Sequence, residues 1–120
     1  MKILTVCRAG LVRSVGLANV LKLHYYPVDV LACGIGEHAF GRMNDTETLD
    51  MLFNWANKII VMEEYYKYKI PEKYHNKVMV CEVGPDIYGN PSNGILIDKV
   101  WTWVRENIDQ LEIKEHKEIV

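Results

Sequence analysis

Residues 2–24, KILTVCRAGLVRSVGLANVLKLH, decide how the rest of the chain is read. Lys2 to Val6 is a short apolar run of strand type. Ser14 to Tyr25 carries Leu17, Val20, Leu21 and His24 at i, i+3, i+4 and i+7, one face of a helix, and Pro27 stops it. Between the two periods lies a loop of about six residues, whose backbone N–H groups turn into one concavity where the helix dipole adds partial positive charge. Strand, anion-sized loop, helix is the opening expected of an α/β domain.

Further along, the alternation continues. Val28 to Ala32 is β-rich and ends at Cys33-Gly34, followed by the aperiodic, glycine-containing GIGEHAFGRMN. Asn44 with Glu47 resembles a capping box, ahead of a helical stripe at Leu49, Leu52, Phe53 and Ala56. Lys58 to Met62 and Lys77 to Val83 read as buried strands on either side of a tyrosine-rich polar segment. Ser92 and Asn93 are candidate caps for a last helix marked by Ile97, Val100, Val104, Ile108 and Leu111, and the tail KEHKEIV is charged and expected to fray. Four strands alternating with helices predict an α/β fold with a mostly parallel sheet, in which ligands sit beyond the carboxyl ends of the strands. No repeat or linker divides residues 1–120, so one domain is expected.

Composition narrows the function. The net charge is −2 with both signs interspersed, which argues against nucleic acid or an anionic membrane as the main partner. No stretch approaches the roughly 20 apolar residues of a membrane span, and the N-terminus lacks a signal-peptide pattern. Cys7, Cys33 and Cys81 are odd in number and without C-x-x-C spacing, as suits free thiols in the reducing cytoplasm. His24, His38, His75 and His116 are scattered without ligand spacing, so no metal site is expected.

Cys7 stands at the start of the opening loop, where converging N–H groups favour the thiolate, the form that attacks. Arg13, at its other end, can grip two oxygens of a transferring group in its planar fork, and Ser14 can donate to the sulfur as it departs. By average composition, a cysteine followed at these positions by Arg and Ser arises by chance in about one per cent of such chains. An arginine in a first helical turn is also poorly placed against the dipole unless an anion neutralises it.

The run Cys7-Arg8-Ala9-Gly10-Leu11-Val12-Arg13-Ser14 resembles the C-x5-R-S signature of cysteine-dependent protein tyrosine phosphatases. Its place after the first strand resembles the low molecular weight family, as do NWANKIIVMEEYY, similar to that family's third strand, and PDIYGNP, similar to its acid loop. The resemblance implies a four-stranded parallel sheet in order 2-1-3-4 with helices on both faces. It also implies a phosphate cradle built from Arg8, Ala9, Gly10, Leu11, Val12 and Arg13. The family usually has an asparagine that braces the loop where Gly10 stands, often a cysteine at Val12, and often a proline at Val15.

Asp86, in a Pro- and Gly-bounded loop after the last strand, reads from residues alone as either a turn former or a general acid; the resemblance implies the acid. Glu82 is the fallback, with less reach. Tyr88 and Phe40 are candidate rim residues, either walls for an aromatic ring or packing within their own loops. A Cys7 to Cys33 disulfide between neighbouring strands is a feasible protection, whereas Cys33 and Cys81 are expected roughly 14 Å apart at strand spacing, too far for a relay without movement. EEYYKYK reads as a solvated face with partly buried tyrosines, His24 as a core or boundary residue, and one of Trp101 and Trp103 as facing a contact surface.

The expected activity is a metal-independent, cofactor-free phosphomonoesterase acting on phosphotyrosine proteins or small aryl phosphates through a phosphocysteine intermediate. Two alternatives stand beside it: an arsenate reductase of the same fold, and a module that binds phosphate or a phosphoprotein without turnover.

Overall fold

The computed structural model describes residues 1–36 and 46–116. Strand β1 (Lys2–Cys7) leads through the loop into helix α1 (Arg13–His24), and β2 (Asp29–Gly34) follows. Next come α2 (Thr46–Trp55), β3 (Lys58–Val61), two 3-10 turns over Glu64–Lys69 and Glu72–Lys77, and β4 (Val78–Val80). Helix α3 (Gly94–Glu106) and the short α4 (Ile108–Leu111) close the chain. The expected cap Asn44 and the rim candidate Phe40 lie outside the described residues.

All four strands run parallel, in the order β2-β1-β3-β4, as expected. Alternation along β1 explains why helices cover both faces. Ile3 and Cys7 pack into the cluster of Leu17, Leu21, Leu96, Val100 and Val104 from α1 and α3. Leu4 and Val6 face the other way, into Phe53, Tyr66, Ile70 and Tyr74 from α2 and the 3-10 turns. Since β3 splits in the same manner, with Ile60 on one side and Ile59 and Val61 on the other, the two central strands are apolar on both faces apart from their first lysines and Thr5.

Several boundaries differ from the sequence reading. Regular pairing of the last strand ends at Val80 rather than Val83, because β3 itself ends at Val61; only Cys81 N–H still reaches Val61 O, at 2.8 Å. The last helix does not run through to Leu111 but breaks at Asn107, whose side chain donates back to Trp103 O at 2.8 Å. Asn93, rather than Ser92, caps α3, accepting from Ile95 N and Leu96 N at 2.9 and 3.2 Å. The start of the tail is ordered rather than frayed, since Lys114–Glu115 pairs antiparallel with Tyr25–Tyr26. The tyrosine-rich segment matches expectation: Tyr66 and Tyr74 are buried, Tyr65 and Tyr68 exposed.

Leu96 is fully buried between α3 and α1, where Gly16 lets the two helices close on each other. Leu96→Ala should therefore cost about 3 kcal/mol of unfolding free energy, the usual loss for a core leucine whose cavity cannot collapse, as read from denaturant unfolding.

Candidate active site

Everything chemically distinctive gathers beyond the carboxyl ends of β1, β3 and β4. Cys7, the last residue of β1, is 2% exposed, at the floor of the loop. Its Sγ accepts from Gly10 N–H at 3.2 Å and lies 3.1 Å from Ser14 Oγ. Thr5 Oγ1 donates to Ser14 O at 2.8 Å, fixing the first turn of α1 against the strand that carries Cys7. Gly10 has φ of +70°, the left-handed conformation that lets its N–H turn back toward the sulfur. Arg8 and Leu11 are exposed, while Ala9, Gly10 and Val12 are half-buried along the loop.

Arg13 sits at the start of α1 and is 1% exposed. Its guanidinium forms an ion pair with Glu63 and donates to Gly84 O at 3.0 Å, while its Nε is buried without a partner. Burial alone would lower the Arg13 pKa, but the hydrogen bond and charge of Glu63, then the Tyr66 hydroxyl and the charge of Cys7, outweigh it, and the net direction is upward. For Tyr66, burial leads and raises the pKa, against the opposing hydrogen bond from Arg13.

EEYYKYK, expected as a solvated face with partly buried tyrosines, also supplies Glu63 and Tyr66 to Arg13, a role the sequence does not assign them. Glu63 follows Met62 at the carboxyl end of the third strand, the edge where ligands sit in such sheets, and that position was the available signal. Glu82 is exposed and bridges two segments, accepting from Glu64 N of the first 3-10 turn at 3.3 Å and from Gly84 N of its own loop at 3.1 Å.

Asp86 lies exposed in the loop after β4, two residues beyond the Gly84 carbonyl that Arg13 holds. Tyr88 is not a rim residue. Its ring is 6% exposed, its hydroxyl donates to Val83 O, and Lys99 Nζ donates to it at 3.0 Å, so it fastens the loop to α3. Ile87, 75% exposed, is the apolar side chain this loop presents instead.

The other sulfurs are elsewhere. Cys33 pairs in register with Val6 and belongs to the α2-side core, whereas Cys7 belongs to the α1-side core. A Cys7 to Cys33 disulfide therefore requires one side chain to cross the sheet, which corrects the expectation. Cys81 lies past the opposite edge, with β1 and β3 in between. All three thiols are free. The described histidines are separate: His24 packs on Trp101 at 4.2 Å, His75 bonds Ile70 O at 2.7 Å and His116 packs on Tyr26 at 4.6 Å. Of the tryptophans, Trp103 donates to Val80 O at 2.9 Å, and Trp101 lies under Arg105.

No protein-family model matches the chain, and no curated protein matches its sequence. Solved structures do. A variant of YwlE from Bacillus subtilis is 20% identical with a TM-score of 0.66, over 93% of this chain and 99% of that one. YwlE arginine phosphatase from Geobacillus stearothermophilus is 18% identical with a TM-score of 0.62, over 99% of each. A protein tyrosine phosphatase from Entamoeba histolytica, with Hepes in its active site, is 19% identical with a TM-score of 0.61, over 93% and 97%. The fold is that of the low molecular weight protein tyrosine phosphatases. At these identities the likeness is one of fold, and the chemistry has to be argued from the residues above.

Two outcomes follow from the electrostatics. Glu63→Gln should lower stability by about 2 kcal/mol in denaturant unfolding, because a buried guanidinium loses its counter-charge while Glu63 itself is partly solvated. Burial, with smaller help from neighbouring charge, pushes the Cys33 and Cys81 thiols from 9.0 up to about 12. The unfolded chain then ionises first, so their contribution to stability is present below about pH 9 and lost as pH rises toward 12. Denaturant midpoints measured from pH 8 to 11 should fall, and fall less in a Cys33→Ala, Cys81→Ala variant.

Proposed function

We propose that this protein is a cytoplasmic cysteine-dependent phosphomonoesterase, acting on phosphotyrosine or a related aryl phosphate. The observation that carries the reading is Cys7 at a loop floor near a fully buried arginine that Glu63 and Gly84 engage through one Nη while its Nε has no partner among the described residues, since a buried donor on that fork calls for an acceptor such as an oxyanion. Cys7 attacks phosphorus as thiolate, forming the S–P bond as the ester P–O bond breaks. Asp86 gives its proton to the departing phenolate. The N–H groups of Arg8 through Arg13 and the Arg13 fork hold the equatorial oxygens. Water, deprotonated by Asp86, then attacks phosphorus, and the sulfur leaves with a hydrogen bond from Ser14.

Substrate choice rests on depth and polarity. A sulfur 2% exposed is reached more readily by a long aryl ester than by a short alkyl one. Leu11, 40% exposed, and Ile87, 75% exposed, are apolar side chains in the two loops that flank it, which suits an aromatic ring better than a charged guanidinium. The arsenate reductase alternative is disfavoured because a relay through Cys33 and Cys81 would have to pass two intervening strands.

Release of p-nitrophenol from its phosphate ester across pH 4 to 9, in chelator, tests the reading. Wild type should turn over, Cys7→Ser should be inactive, and Asp86→Ala should lose about 10²-fold or more, the share general acid catalysis supplies. Phosphotyrosine and phosphoarginine peptides run in parallel decide the substrate class. Turnover of phosphoarginine alone would overturn the aryl preference, and arsenate reduction without ester hydrolysis would move the protein to the reductase class.

A further inference from the structure

In this chain the nucleophile loop has glycine where a bracing side chain is usual, yet the loop is not unsupported. The parallel pairing of β1 with β2 continues past the strand ends: Ile35 N–H donates to Cys7 O at 3.1 Å and Gly36 N–H donates to Arg8 O at 2.8 Å. These two bonds turn the Cys7 and Arg8 carbonyls toward β2. Because a trans peptide sets N–H opposite C=O, the N–H groups of Arg8 and Ala9 point away from it.

The contact is too close for any side chain. A Cβ on Gly34 would lie 2.5 Å from Ala9 C, 2.8 Å from Ala9 O and 2.8 Å from Gly10 N. A Cβ on Gly10 would meet Gly34 N at 2.6 Å and Cys33 C at 2.8 Å, and one on Gly36 would meet Arg8 Cγ at 2.5 Å and Arg8 O at 2.8 Å. Most of those atoms are backbone, which cannot swing aside. By contrast, a Cβ on Gly94 would meet nothing within 4 Å.

We infer that the main chain of Cys33–Gly36 is the brace of the nucleophile loop, with Gly34 and Gly36 as positioning residues that set the Arg8 and Ala9 N–H groups for the oxyanion. The inference rests on the phosphatase reading of that loop and deepens it: it names what holds the cradle in shape. It also explains Gly10. An asparagine there would drive its Cβ into Gly34 N, so Gly10→Asn should weaken the site instead of restoring a brace.

The test compares Gly34→Ala, Gly36→Ala and the control Gly94→Ala. The readouts are p-nitrophenyl phosphate kinetics and the concentration of inorganic phosphate that half-protects Cys7 from iodoacetamide, with circular dichroism for folding. Gly34→Ala and Gly36→Ala should fold, lose about 10²-fold in kcat/KM as misplaced cradles do, and need at least about tenfold more phosphate for protection; Gly94→Ala should match wild type. Folded Gly34→Ala and Gly36→Ala variants with wild-type kinetics and protection would overturn the inference. Should either variant fail to fold, hydrogen exchange on wild type decides, since the Ile35 and Gly36 amides should be protected and free exchange at both would overturn the brace. Wild type that is protected by phosphate but never turns over would sink the phosphatase reading while leaving the brace to be judged on protection. Absence of protection in wild type would overturn both.

Discussion

The buried guanidinium of Arg13 is the constraint around which the carboxyl edge of the sheet is organised. A charge that is 1% exposed must be met by partners from the protein, and they come from three separate segments: Glu63 after β3, Tyr66 in the first 3-10 turn, and the Gly84 carbonyl after β4. Sequence separation between Arg13 and Gly84 is large, but the order β2-β1-β3-β4 brings the ends of β1, β3 and β4 side by side. The sheet is thus the device that assembles the site. Its helices fill the two apolar faces and leave the carboxyl edge, with Cys7 and Arg13, to the loops.

Two different kinds of support hold the two loops there. The loop after β1 leans on backbone, with Gly10 and Gly34 permitting main chain to touch main chain. The loop that carries Asp86 leans on side chains: Tyr88 is buried, bonded to Val83 O and to Lys99 of α3, while Asp86 and Ile87 stay exposed. A loop fastened on both sides of Asp86 keeps that residue near one position while leaving it in water, an arrangement that suits the acid role proposed for it.

Much of this was legible in the sequence because it rests on local periodicity. The strand, loop and helix of residues 2–24, the apolar central strands, and the C-x5-R-S spacing are all short-range signals, and the resemblance they carried gave the strand order. The misses are long-range or depend on burial. Only its place just after the third strand marks Glu63, which pairs with a residue 50 positions away, and Glu64 beside it shares nearly that place. Tyr88 reads from sequence as either a rim wall or packing within its own loop; the structure takes the second, with Val83 of that loop and Lys99 of α3 as its partners, and Lys99 is the part no local signal marks. Helix α3 breaks at Asn107 although the apolar stripe continues to Leu111, because tertiary packing of Leu111 is satisfied by a separate turn. The ladder between Tyr25–Tyr26 and Lys114–Glu115 joins two segments almost the whole chain apart.

The Arg13 and Glu63 pair also bears on the order in which the molecule can form. Helix α1 follows β1 directly, yet its first residue cannot leave water until β3 has docked on β1 and delivered Glu63, since an unpaired guanidinium resists burial. Parallel pairing of that kind closes a long stretch of chain before any contact rewards it. The local helix can therefore appear early while its amino end stays solvated, and the cradle takes shape only as the central strands come together, so that assembly of the site reports on completion of the fold.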